Sequence, residues 1–143
     1  MIQRIQTIYL FLGAAAALAL FGLPVATTAE AQADSALFAD AVFNLQDHML
    51  LMGAFGLTGL LLLVIIFLYN NRKLQVNLVK GVLVLCGAGI GFGVSRFFID
   101  QAADAAQPAA GIALPLLVIV FTILAIRNIN KDEKLVRSVD RLR

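Results

Sequence analysis

The chain has 143 residues, of which 61% are hydrophobic and 14% charged, with no Trp and a formal net charge of +2. Soluble domains run about 45–50% apolar and ~25% charged, and a chain this short cannot hide such a surplus in one core. The balance excludes an ordinary soluble enzyme and gives no reason to expect a nucleic-acid partner. It predicts a membrane protein.

In chain order, the first charge-free stretch runs from Arg4 to Glu30, with the core IYLFLGAAAALALFGL before Pro24, and predicts a span over residues 5–24. A rival reading makes this a signal peptide cleaved after Ala31-Gln32-Ala33. The apolar run of about 19 residues exceeds the 7–15 of a signal peptide's apolar region and favours a retained anchor, although the loop charges suit both. The connection that follows carries Glu30, Asp34, Asp40 and Asp47 but no Lys or Arg. Its apolar second half (Leu37, Phe38, Val42, Phe43, Leu45) is expected either to lie as an interfacial helix or to pack on the outer mouth of the bundle.

The second span, residues 49–69, is the uncharged run MLLMGAFGLTGLLLLVIIFLY. The third is shorter: Lys80 and Arg96 enclose GVLVLCGAGIGFGVS, about 15 residues or roughly 22 Å of helix. It reaches a full crossing over 77–99 if both cations snorkel to opposite interfaces. The fourth, 108–126, contains Pro108 and Pro115, and Pro115 removes one helix hydrogen bond and can kink it. In the tail, 127–143, Leu135, Val136, Val139 and Leu142 fall on one helical face, and Glu133 stands i,i+4 to Arg137. Either the tail continues span four along an anionic inner leaflet, or it docks a cytoplasmic partner.

Each of the four stretches can cross a ~30 Å hydrocarbon layer as a helix, the form that satisfies its own backbone. All the Lys and Arg residues except Arg96 fall before span one, between spans two and three, or after span four. The positive-inside bias then places both termini and the middle turn in the cytoplasm. The expected fold is all-α: a single four-transmembrane-helix bundle over 1–143, N-in and C-in, with a basic amphipathic C-terminal tail helix.

Chemical motifs are sparse. The glycines of CGAGIGFG lie in mid-span, where a nucleotide-binding loop has neither strand nor water. Gly87 with Gly91, and Gly89 with Gly93, are small-xxx-small pairs suited to close helix contact, and Gly53, Gly56 and Gly59 are expected to form the matching groove on span two. Cys86 reads as a small buried apolar residue. His48, the single histidine, reads as an interfacial polar group beside Asp47; alone it makes no structural metal site. Arg96 and Asp100 stand i,i+4 at the outer end of span three, expected as an ion pair or inter-subunit contact, with an ion relay as the sharper alternative. Asp47, His48, Arg96 and Asp100 are the groups a lipid-modifying enzyme would need to bring within reach of one another. No catalytic residue, cofactor or metal site is expected.

The opening MIQRIQTIYL, the FLYNNRKLQ that closes span two, and the ending KDEKLVRSVDRLR together resemble a small inner-membrane protein family of Bacteroidota classed as a domain of unknown function. The resemblance implies four helices, an uncleaved first span and a bacterial inner (cytoplasmic) membrane location; it implies no activity. It also draws attention to the cytoplasmic face, where Arg4, Arg72, Lys73, Lys134, Arg137 and Arg141 would offer a basic surface to a partner or to lipid. The resulting expectation is a non-enzymatic accessory or scaffold subunit, with a homo-oligomeric channel or transporter as the alternative. Its partners would be membrane lipid and either other proteins or further copies of itself, and no nucleic acid.

Overall fold

The computed structural model describes the backbone of residues 3–140 and the side chains of residues 5–136. Four helices dominate: α1 (Gln3–Ala19), α2 (Met49–Ile66), α3 (Arg72–Ile99) and α4 (Leu114–Asp140). Three two-residue strands lie outside them: β1 (Ala26–Thr27), β2 (Val42–Phe43) and β3 (Gln107–Pro108).

The helices close a ring in which α1 touches α2 and α4, and α3 touches the same two. Alternating direction follows from the short α2–α3 turn and from the pairing of α1 with α4: the rings of Tyr9 and Phe121 lie 6.4 Å apart, and Gly13 sits against Leu62, Phe121 and Thr122. Every helix turns a stripe of helical period inward. These stripes are Gln6, Leu10, Ala14 and Ala17 on α1; Leu51, Phe55, Thr58, Leu62 and Ile65 on α2; Gln75, Val79, Val82 and Cys86 on α3; and Val118, Thr122, Ala125, Ile129 and Asp132 on α4.

Local chemistry sets the helix ends. His48 caps α2, its Nδ1 accepting the Leu50 N–H at 3.3 Å. The Asn71 side chain caps α3 by accepting from Leu74 N–H at 3.1 Å, so α3 begins at Arg72, five residues before the expected residue 77. At 28 residues it is about 42 Å long, more than a bilayer's hydrocarbon thickness. The short charge-free stretch is thus the middle of a long helix. Residues 114–136 of α4 run straight from the apolar span into the basic tail, and the helix backbone continues to Asp140.

Two expectations change. Pro115 does not kink span four: the helix starts at Leu114, and in its first turn proline's missing N–H had no partner to lose. Span one does not remain helical to residue 24; α1 ends at Ala19 in a tight turn, with Phe21 N–H on Leu18 O and Gly22 N–H on Ala19 O. Three helical stretches (Met49–Ile66, Arg72–Ile99 and Ala110–Val136) are long and apolar enough to cross a membrane, and Ile5–Ala19 is a shorter apolar helix.

The connections between α1 and α2 and between α3 and α4 form a cap on one end of the bundle instead of an interfacial helix. β1 is the central strand, antiparallel to both neighbours: Ala26 faces Phe43 on one side and Pro108 on the other. Pro108 sits on an edge strand, where a missing N–H is tolerated. The ladder extends beyond the strands through Val25 N–H to Phe43 O, Ala109 N–H to Val25 O and Gly111 N–H to Pro24 O. Gly111 is required at that approach, because a Cβ there would lie 2.6 Å from Pro24 O and 2.8 Å from Leu23 O.

Candidate functional site

At the capped end of the bundle, Asp100 ends α3 in an extended conformation and turns its carboxylate onto the first connection. Oδ1 accepts from the Ser35 hydroxyl at 2.7 Å and from Ala102 N–H at 3.0 Å, and Oδ2 from Leu37 N–H at 3.2 Å. Burial pushes this carboxyl up, but the Ser35 hydroxyl and the backbone N–H groups of Ala102, Leu37 and Ala36 outweigh it and hold it below the ordinary carboxylate value. Ser35 Oγ in turn accepts from Phe38 N–H at 2.9 Å. Phe38 is fully buried, edge-on to Phe43 and to Phe97 of α3. The expected Arg96–Asp100 ion pair is therefore replaced: Asp100 faces the cap, and Arg96 Nε is buried without a partner.

The other two members of the expected outer cluster are also taken up locally. Asp47 Oδ2 accepts from Asn44 N–H at 2.6 Å and closes the short 3₁₀ turn before α2. Burial raises the Asp47 carboxyl, opposed by that hydrogen bond and assisted by the charge of Asp40. His48 caps α2 and sets its ring edge-on to Phe92, centroids 4.7 Å apart. Among the described residues, no hydrogen bond or ion pair joins any two of Asp47, His48, Arg96 and Asp100. The arrangement is a set of caps and latches, not a converged acid–base site.

Beneath the cap, between α3 and α4, lies a cavity of about 540 Å³. Phe55, Gly89, Gly93, Phe97, Phe43 and Leu116 are among its walls, and the lining is apolar apart from Gln107.

The seven glycines divide by role. Gly89 meets Ala54 and Phe55 of α2, and Gly93 meets Leu51, as expected for packing between spans two and three. Gly56 and Gly59 instead face Phe21, just beyond α1, and Leu18 of α1, so α2's half of the expected groove receives a different neighbour. Gly53, Gly87 and Gly91 have no atom within 4 Å of where a Cβ would sit, and face outward. The seam that sequence reasoning missed runs along α1, where Gly13, Ala14 and Ala17 let α2 and α4 approach. The run GAAAALA was its signal.

At the end opposite the cap, Tyr69, Asn70, Asn71, Arg72, Lys73, Glu133 and Val136 line a shallow depression. Arg72 and Lys73 share this depression, and Lys134 is exposed on α4. Arg72 also reaches inward, Nη1 donating to the Asp132 backbone carbonyl at 3.3 Å. The side chains of Arg4 and Arg137, and the whole of Arg141, lie outside the described residues. Sequence reasoning also missed three buried polar side chains on the interior stripes at this end: Gln6, Gln75 and Asp132. Their helical spacing from Leu10, Val79 and Ile129 was the available signal.

Compared with known proteins, the chain matches across residues 2–142 the profile of a family described as "Domain of unknown function (DUF4293)". No curated protein and no solved structure matches it.

Proposed function

The chain belongs to the DUF4293 family, a domain of unknown function, and from that premise we propose that it is a non-enzymatic integral membrane protein serving as an accessory or scaffold subunit. Its setting would be an assembly of the bacterial inner membrane in Bacteroidota. In this reading all four helices cross, both termini are cytoplasmic, and the acidic cap faces outward. The charge bias supports the orientation. The antiparallel packing of α1 between α2 and α4 supports a fourth crossing, its shorter apolar length being met by local thinning of the bilayer or by snorkelling of flanking residues.

The observation that carries the proposal is the outward face of α3. Gly87 and Gly91 stand one turn apart with nothing against them, while Gly89 and Gly93 of the same helix are used inside the bundle. Small residues at a helix surface let a second backbone come close, and association in lipid depends on such packing. Only 17% of α3's most apolar window is buried within the chain, against 33% for α2. Among the three long apolar helices, α3 therefore has the smallest share buried within the chain. Asp47, His48 and Asp100 are each used as a cap or latch, and among the described residues Arg96 makes no hydrogen bond or ion pair with any of them.

The test is the native mass of the protein gently extracted from its own membrane, with co-purifying chains identified. A stoichiometric set of other polypeptides supports the proposal. A defined homo-oligomer rejects it in favour of a channel or transporter formed between copies, and a monomer rejects both.

A further inference from the structure

We propose that the apolar cavity beneath the cap is a lateral lipid site that takes one acyl chain of a zwitterionic phospholipid, phosphatidylethanolamine being the representative. The inference rests on the membrane reading above and names a ligand for that setting. The cavity, of about 540 Å³, lies within the ~300–1,000 Å³ range of sites that enclose small organic ligands. Its walls pass from the surface to the interior. Val94 and Phe98 on α3, with Ile112 and Leu116 around the start of α4, line it and are exposed, Phe98 by 76%. Leu51 and Phe55 of α2 line it too and are each only 3% exposed. The cavity therefore opens sideways between α3 and α4 and reaches into the bundle.

Water has little reason to fill this space, because a buried water needs about 2–4 polar partners and Gln107 is the one polar side chain in the wall. Left empty, the walls would forfeit dispersion contacts. At a sideways opening between two spanning helices the surrounding medium is hydrocarbon, and an acyl chain is slender and flexible enough to follow the opening inward. Charge selects the head. The connections that roof the bundle, residues 20–48 and 100–113, carry Glu30, Asp34, Asp40, Asp47, Asp100 and Asp104 and no Lys or Arg. Arg96, the one cation on this stretch of α3, is not part of the wall. An anionic head held there meets like charge, whereas an ammonium-bearing head is attracted. Gln107, exposed on β3, belongs to both wall and cap and offers its amide to the ester or phosphate oxygens of the same lipid.

The experiment places the full chain in vesicles of phosphatidylethanolamine and phosphatidylglycerol, with a diazirine on one acyl chain of either lipid, and locates the photolabel by mass spectrometry. Labelled phosphatidylethanolamine is expected to mark Leu51 and Phe55 saturably, beside general labelling of the exposed Leu60 and Val120. Labelled phosphatidylglycerol is expected to mark the two interior residues a few-fold less, the size of one exposed charge interaction. Val94→Trp, which blocks the mouth, removes the interior labels; Val84→Trp, exposed on α3 away from the cavity, leaves them. Labels confined to Leu60 and Val120 overturn the inference while leaving the protein in its membrane. No labels anywhere overturn it together with the membrane reading. Interior labels that ignore Val94→Trp, or that are equal for the two lipids, also overturn it, because the route or the head is then wrong. Labels that appear only once co-purifying or duplicate chains are stripped away make a protein the occupant and reject it as well. The wild-type pattern decides the matter even if Val94→Trp fails to fold.

Discussion

The Ser35 hydroxyl donates to Asp100 Oδ1 at 2.7 Å and so joins two residues 65 positions apart, one in the cap and one at the end of α3. Ser35→Ala removes this donor, and with it the oxygen that receives Leu37 and Phe38 N–H. The expected cost is about 1–3 kcal/mol of stability, the usual penalty for stranding buried hydrogen-bonding groups. Thermal unfolding of the detergent-solubilised chain checks it. The cap should loosen first, seen as faster backbone exchange at residues 35–38 than in α3.

Asp100 also sets an acid limit. Its carboxyl is held below its ordinary value in the folded protein, so its contribution is fully present above the unfolded pKa of about 3.9 and is lost as pH falls through the lower folded value. Stability of the wild type should therefore fall as pH drops below about 4. Asp100→Asn should be weaker at neutral pH and show a flatter profile in that acid window. A parallel slope for both proteins would remove Asp100 as the cause.

Glycine substitutions should separate by what a methyl group would meet. At Gly111 it meets the backbone oxygens of Leu23 and Pro24, which cannot step aside, so Gly111→Ala is expected to cost about 2–3 kcal/mol. At Gly59 the obstacle is the Leu18 side chain at 2.9 Å, which can turn, and about 1 kcal/mol is expected. Gly53→Ala and Gly87→Ala meet nothing and should be neutral or stabilising by up to about 1 kcal/mol through helix propensity. Denaturation of the four variants side by side gives the order. If Gly87→Ala keeps the fold yet sheds co-purifying chains, the outward face of α3 is a contact surface.

Orientation has a direct readout because the chain contains a single cysteine, buried Cys86. In a Cys86→Ser background, Asp34→Cys and Asp104→Cys should react with an impermeant maleimide on intact spheroplasts. Lys73→Cys and Lys134→Cys should react only after lysis. The opposite pattern would invert the proposed topology.

The apolar spans were legible because a bilayer imposes length and composition directly on sequence. The register of α3 was less so: its start depends on the Asn71 cap and not on hydrophobicity, so a reading based on charge-free length placed it several residues late. The cap was hardest to see. Ala26–Thr27, Val42–Phe43 and Gln107–Pro108 are each two residues long, too short for alternation to register, and they are held by partners distant in sequence. Of the outer polar residues, Asp100 was singled out from its i,i+4 relation to Arg96. That spacing could not reveal a better-placed donor in Ser35. Gln6, Gln75 and Asp132 were passed over because they border charged segments, where polar residues look solvated until helix packing closes over them.

In the proposed topology, the central position of β1 has a consequence for how the chain is laid into a membrane. Ala26 can meet Pro108 only if both lie on the same side, and α2 and α3 are the helices between them. The number of crossings between the two strands must therefore be even. A chain in which one of these helices failed to insert would carry Gln107–Pro108 to the wrong compartment, and β1 would keep an unpaired edge. Closure of six residues of sheet thus reports, in the proposed topology, that α2 and α3 have crossed as a pair, and a mis-threaded copy would be marked by an open β1 edge.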